Sequence, residues 1–159
     1  MSRHALFATL AVALVGGATP AKVQAAASCA VAATSVSFGT YNPFTVTNND
    51  STGEIRITCS GPLLQLIAYS VSISAGNGTY AARRMTNGIN SLEYNLYIDP
   101  LYLNVWGDSA FNSLLLSISY VLTLSPTTRQ HTVYGRLRAG QTNAVPGVYT
   151  DNVAVTVSF

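Results

Sequence analysis

The stretch Asn152-Val153-Ala154-Val155-Thr156-Val157-Ser158-Phe159 places an apolar side chain at every second position and a small or polar one between. Side chains alternate between the two faces of a pleated strand, so this pattern predicts a strand with one buried face and one wet face. Working back along the chain, the same period recurs. It runs through Val133 and Leu137, through Leu116, Ile118, Tyr120, Leu122 and Leu124, and through Leu92, Tyr94 and Leu96. It recurs in Tyr69, Val71 and Ile73, in Ile55, Ile57 and Cys59, and in Val36 and Phe38, which are expected to form the first strand. Turn-forming clusters separate these runs: Asn48-Asn49-Asp50-Ser51, Gly76-Asn77-Gly78, Asn87-Gly88, Asp99-Pro100 and Pro146-Gly147. Helical periodicity is absent beyond residue 25. About seven short strands divided by such turns predict an all-β, antiparallel β-sandwich.

Residues 1–25 read as an export signal rather than as part of the fold. Arg3 precedes the apolar run from Ala5 to Val15, Gly16, Gly17 and Pro20 end it, and alanines follow at 25–27. The run is shorter than the roughly 20 apolar residues that span a bilayer. Cleavage is expected after Ala25, on the small-residue spacing of Val23 and Ala25, with Ala27 and Ala18 as alternatives. Residues 26–159 would then form one domain. Of the eight basic and six acidic residues in the chain, Arg3 and Lys22 fall in the signal, so the exported part is formally neutral. It has neither the basic stripe of a nucleic-acid binder nor the basic amphipathic helix of a membrane-surface protein, and no insertion into a membrane is expected.

Cys29 and Cys59 are the only cysteines. In an oxidising compartment an isolated pair is most simply a disulfide, worth about 3–4 kcal/mol in the chain-entropy account. Two free thiols are the alternative. Metal ligation is disfavoured, because His131 is the one histidine of the exported part and structural zinc needs a full set of ligands.

Catalytic signatures are missing: there is no G-x-S-x-G, H-E-x-x-H or C-x-x-C. His131 lies in strand-like sequence and is expected at the surface or in a cross-strand pair. Asp99, Asp108 and Asp151 sit at strand ends, where capping of turns is the ordinary role of aspartate. Arg83 and Arg84 should point to opposite faces of a strand, one pairing with an acid and the other meeting solvent. Asn77-Gly78-Thr79 and Asn49-Asp50-Ser51 match the glycosylation sequon but read as turns. No enzyme activity and no cofactor are expected.

Several local patterns recur in a telling order. They are Cys29-x-Val31, Phe38-Gly39-x-Tyr41, Gly53-x-Ile55-x-Ile57-x-Cys59, Arg84-Met85 and Leu92-x-Tyr94-Asn95-Leu96-Tyr97-x-Asp99. Trp106-Gly107-Asp108, Val133-Tyr134-Gly135-Arg136, Ala139-Gly140-Gln141 and Gly147-x-Tyr149-x-Asp151 follow, the last running into the valine strand. From Cys29 to Phe159 this order resembles the spore coat protein U domain family, whose members include subunits of archaic chaperone–usher pili.

The resemblance implies an immunoglobulin-like sandwich that lacks its final strand. Val153–Phe159 would be the penultimate strand, leaving a sheet edge unpaired and a core groove uncovered. A periplasmic pilus chaperone would lend the missing strand, an outer-membrane usher would export the subunit, and another pilus subunit's N-terminal segment would take the strand's place. Val153, Val155, Val157 and Phe159 are expected to line one wall of this acceptor groove and to contact the chaperone, which would grip the carboxylate at Phe159. Val36 and Phe38 would line the other wall. Cleavage after Ala25 would leave no donor segment ahead of Cys29, which implies a place at the tip of a surface fibre. Thr19 as first residue would instead restore a weak donor and a shaft position. The apolar stretch Leu114–Leu124 is either an ordinary strand or a filler for the protein's own groove. The other readings are a self-contained extracellular coat or matrix protein, and a carbohydrate-binding sandwich using Trp106 and tyrosines as stacking platforms.

Overall fold

The structure, a computed structural model, describes residues 26–159; the expected export signal, residues 1–25, lies outside the described residues. Eight strands form in order: β1 (Ser28–Thr34), β2 (Asn49–Ser60), β3 (Leu66–Ile73), β4 (Arg83–Asn87), β5 (Asn90–Tyr97), β6 (Leu116–Val121), β7 (Thr127–Leu137) and β8 (Val155–Ser158). They build a five-stranded sheet, β1-β2-β7-β5-β4, and a three-stranded sheet, β6-β3-β8, with every pairing antiparallel. The two sheets pack as an immunoglobulin-like sandwich, and the described residues contain no helix.

The alternation read from the sequence is what fills the space between the sheets. Ile55 and Ile57 of β2, Val71 and Ile73 of β3, Leu96 of β5 and Leu137 of β7 are all buried, while the residues between them in β2 and β3 are more exposed. Cys29 sits directly opposite Cys59 in the β1–β2 ladder, and the two are joined in a disulfide. Trp106 is fully buried and donates its indole N–H to the Val71 carbonyl at 2.9 Å.

Three elements depart from the sequence reading. The first strand is the alanine-rich Ser28–Thr34, not the run through Val36 and Phe38. Beyond Thr34 the chain leaves the ladder and crosses the inner face of the five-stranded sheet. Two glycines open the path: a Cβ on Gly53 would stand 2.8 Å from the Thr34 carbonyl, and one on Gly135 would stand 2.5 Å from a methyl of Val36. Side chains then replace the ladder, with Ser51 Oγ donating to the Ser37 carbonyl at 2.6 Å and Asn49 Nδ2 to the Phe38 carbonyl at 2.7 Å. The second departure is Asn49–Ser51, expected as a turn but found as the start of β2, where Asn49, Asp50 and Ser51 pair with Leu137, Arg136 and Gly135 of β7. The third is Leu114–Leu124, which splits. Leu116–Val121 forms the edge strand β6, Leu122 is buried beyond it, and Leu124 is exposed.

Arg83 also departs from expectation. It does not meet solvent but is fully buried. Its guanidinium donates to the carbonyls of Ser74 (3.0 Å), Ile73 (3.2 Å) and Trp106 (2.6 Å) and to Asn95 Oδ1 (2.5 Å). A buried charge needs such partners, and here backbone carbonyls supply them, tying β4 to the end of β3 and to the Trp106 loop. Arg84, by contrast, reaches Glu93 at the surface.

Candidate strand-accepting groove

Between the two sheets, on the side where β1 ends and β8 begins, lies a cleft of about 470 Å³. Its floor draws on both sheets: Ile55, Val133, Leu96 and Tyr94 from the larger, with Met85 of β4, and Ile73 from the smaller. One wall is the chain from Ala33 to Phe38, and the other runs from Tyr149 to Val155. The cleft therefore follows a seam where each sheet presents an end strand, β1 in one and β8 in the other.

Four of the six residues expected at a groove line this cleft: Val36, Phe38, Val153 and Val155. Phe38 is fixed there edge-on to Tyr94, with ring centroids 5.8 Å apart. The structure does not bring the other two to it. Val157, paired with Val71, is half-buried against the core. Phe159 is 68% exposed and lies edge-on to Tyr69 at 6.1 Å. It borders a separate shallow depression with Ala68, Ser70, Ser117 and Ser119. The reason is the length of β8: its ladder with β3 begins at Val155 and ends at Ser158, so Phe159 projects past the last pair. No residue of Leu114–Leu124 lines the cleft, since β6 occupies the far edge of the smaller sheet.

The Tyr149–Val155 wall is held differently from its opposite. Thr150 exchanges two backbone hydrogen bonds with Thr86, at 2.8 and 3.1 Å. Ala154 is met by Ser74, through the Ser74 N–H and the Ser74 Oγ, each at 2.9 Å. Between these points stands Asp151. Its Oδ2 accepts from the Tyr94 hydroxyl at 2.7 Å and its Oδ1 from the Asn77 N–H at 3.1 Å. The turn beneath it needs Gly76, whose φ is +61° and whose added Cβ would collide with the carboxylate. Burial, followed by the bond to Asp151, pushes the Tyr94 phenol well above its ordinary pKa, so it remains a neutral donor.

Asp151 thus bridges a loop, a strand and the groove wall, where turn capping was expected. Asp99 and Asp108 do cap turns, Asp99 accepting from Leu101, Leu103 and Asn104 and Asp108 from Ala110. Sequence reasoning passed over the Asp151–Tyr94 pair. The available signal was Tyr94 on the apolar face of its strand, because a buried tyrosine hydroxyl requires a partner. Two further expectations find their places. His131 is cross-strand to Ile55 and bonds through Nε2 to the Tyr69 hydroxyl at 2.8 Å, with burial holding its pKa below the usual value. Trp106 is fully buried, which removes it as a surface platform for a sugar.

No curated protein matches the chain. Among solved structures, one similar chain belongs to the chaperone–tip adhesion subunit pre-assembly complex CsuC–CsuE, from archaic chaperone–usher Csu pili of Acinetobacter baumannii. The TM-score is 0.56 at 20% identity, over 84% of this chain and 40% of that chain. At that identity the likeness establishes a shared fold, and the present chain spans well under half the length of its neighbour. The model of the spore coat protein U domain matches residues 16–156. That match takes in both walls of the cleft, the disulfide and every strand up to the first residues of β8, and by it the chain belongs to the spore coat protein U domain family.

Proposed function

We propose that this protein is a structural subunit of a chaperone–usher pilus or similar surface fibre, and that it works by accepting a β-strand from a partner. The observation that carries the reading is the cleft between the β1 and β8 edges. It is floored by apolar side chains from both sheets, and the end strand β8 offers it a backbone edge. A strand entering there gains main-chain hydrogen bonds along β8 and places alternate side chains over Ile55, Ile73, Leu96 and Val133. Each valine-sized side chain so buried contributes about 1.5–3 kcal/mol. The fold shared with a chain of a chaperone–tip subunit complex supports the reading.

In this reading Val36, Phe38, Val153 and Val155 contact the incoming strand directly, while Val157 and Phe159 secure the end of β8. The first occupant is a strand of a periplasmic chaperone, and the second is the N-terminal segment of another subunit after passage through an outer-membrane usher. The route is export by residues 1–25, transit through the periplasm and display at the cell surface. Cleavage after Ala25 leaves a chain that accepts a strand without donating one, which suits the tip of a fibre. No catalytic step is involved.

Co-expression with a periplasmic chaperone of the archaic class tests the proposal. The expected result is a one-to-one complex that protects the cleft residues from hydrogen exchange, while the subunit made alone leaves those residues open to exchange. A protein that ignores the chaperone and protects its cleft residues unaided would instead be a self-contained coat protein.

A further inference from the structure

We propose that Tyr94 and Asp151 form a latch that holds the Tyr149–Val153 wall in its strand-accepting position while the cleft is empty, making both positioning residues for strand capture. The inference rests on the strand-accepting reading above and adds to it the device that keeps the site formed.

The need for a latch follows from how the wall is held. β8 enters its ladder only at Val155, and the bridge to β4 ends at Thr150. Asp151, Asn152 and Val153 lie between these anchors with no ladder of their own, although Val153 must present its side chain to the cleft. Asp151 is the side chain that ties this span across the interior, reaching β5 through Tyr94 and the Gly76–Gly78 turn through the Asn77 N–H. Both members of the pair line the cleft, so an arriving strand meets the latch. The electrostatics agree. Burial lowers the Arg83 pKa, Tyr94, Tyr80 and then Asp151 oppose that shift, and Arg83 fixes the neighbouring end of β3 through the Ile73 and Ser74 carbonyls.

A latch of this kind acts on the empty protein. Once a strand is in place its own hydrogen bonds hold the wall, and the Tyr94–Asp151 bond becomes redundant. Its loss should therefore slow capture and leave release almost untouched, because only a fraction of empty molecules is then competent to bind. A residue that merely supports the fold would lower the stability of empty and filled protein alike and would not single out the association step.

The test uses the mature chain and a fluorescein-labelled synthetic peptide of alternating valine and threonine as the strand. Tyr94→Phe keeps the buried ring that packs on Phe38 and removes only the hydroxyl. Losing one such hydrogen bond should slow association by about fivefold to tenfold, with dissociation within about twofold of wild type. Asp151→Asn retains an amide oxygen facing Tyr94 and should fall between the two. Ile67→Val, which trims a buried side chain outside the cleft, should leave association unchanged. Wild-type association by Tyr94→Phe, or equal slowing by Ile67→Val, would overturn the latch while leaving the groove standing. If the wild-type chain takes up no peptide, the strand-accepting reading itself fails, and the latch with it.

Discussion

The two edges that flank the cleft are built to opposite specifications. β1 is laddered to β2 from Ser28↔Ser60 to Thr34↔Glu54, and the Cys29–Cys59 bridge locks it covalently. β8 pairs with β3 over only Val155–Ser158, its inward valines are half-buried, and the residues leading into it depend on side-chain bonds. One edge is fixed within the protein itself, and under the proposed function the other is completed by a partner. That asymmetry fits an incomplete sandwich. Strand addition needs one rigid wall to define the groove and one free edge to receive hydrogen bonds. A sandwich loose on both sides would lose the groove, and one closed on both sides would have no place for a strand.

The largest effect is expected at the β8 edge. Val155→Arg places an uncompensated charge in the cleft between Ile73 and Val36, and should cost about 3 kcal/mol or more. Loss of soluble protein, or a collapsed urea midpoint in what survives, is the expected readout. A variant as stable as wild type would mean that the position faces water.

The locked edge comes next. Cys59→Ser should lower stability by about 3 kcal/mol in urea titration, and reduction of the wild-type protein should reproduce the loss. Because Cys29 and Cys59 close β1 onto β2, hydrogen exchange should rise first along Ser28–Thr34. A uniform rise over both sheets would argue against β1 as a separately fastened edge.

A smaller effect is expected where the end of β8 meets β7 through Phe159, Tyr69 and His131. Burial, reinforced by Arg129, depresses the His131 pKa below the ordinary 6.5. The unfolded chain then binds the proton more readily than the folded one, so stability is full above pH 6.5 and falls as the pH drops below it. The loss should stay under about 1 kcal/mol, since the imidazole is partly solvated. His131→Gln should flatten this part of the pH profile, and an unchanged slope would exclude His131 as its source.

The smallest effect on folding is expected from a short polar extension after Phe159. That side chain projects past the last β8 pair, so stability should change by less than about 0.5 kcal/mol, as for surface changes generally. The same extension should nonetheless weaken chaperone co-purification if recognition under the proposed function reaches Phe159. Unimpaired co-purification would place recognition entirely in the cleft.

The legible and illegible parts of the chain divide along a physical line. Alternation in β2, β3, β5, β6, β7 and β8 could be read because burial of one sheet face imposes a period of two on the sequence itself. β1 could not, since Ala30, Ala32 and Ala33 carry little apolar contrast, and the strand is specified by its ladder and its disulfide. Val36 and Phe38 alternate as a strand would but were wrongly assigned to one, because the Ser37 and Phe38 carbonyls are met by side chains of β2 and not by a backbone ladder. Val157 and Phe159 continue the alternation of Val153 and Val155 without a break, yet only the register with β3 decides that the cleft is lined without them.

By itself, then, the sequence determined an all-β sandwich, the two cysteines available to fasten it and the apolar faces that form its core, all through local pattern and composition. Tertiary structure alone decided that Arg83 is buried on carbonyls, that Trp106 is closed to solvent and that Asp151 reaches Tyr94 across the cleft. Each of these depends on groups distant in sequence arriving together to satisfy a buried polar atom, and no local period records such a meeting.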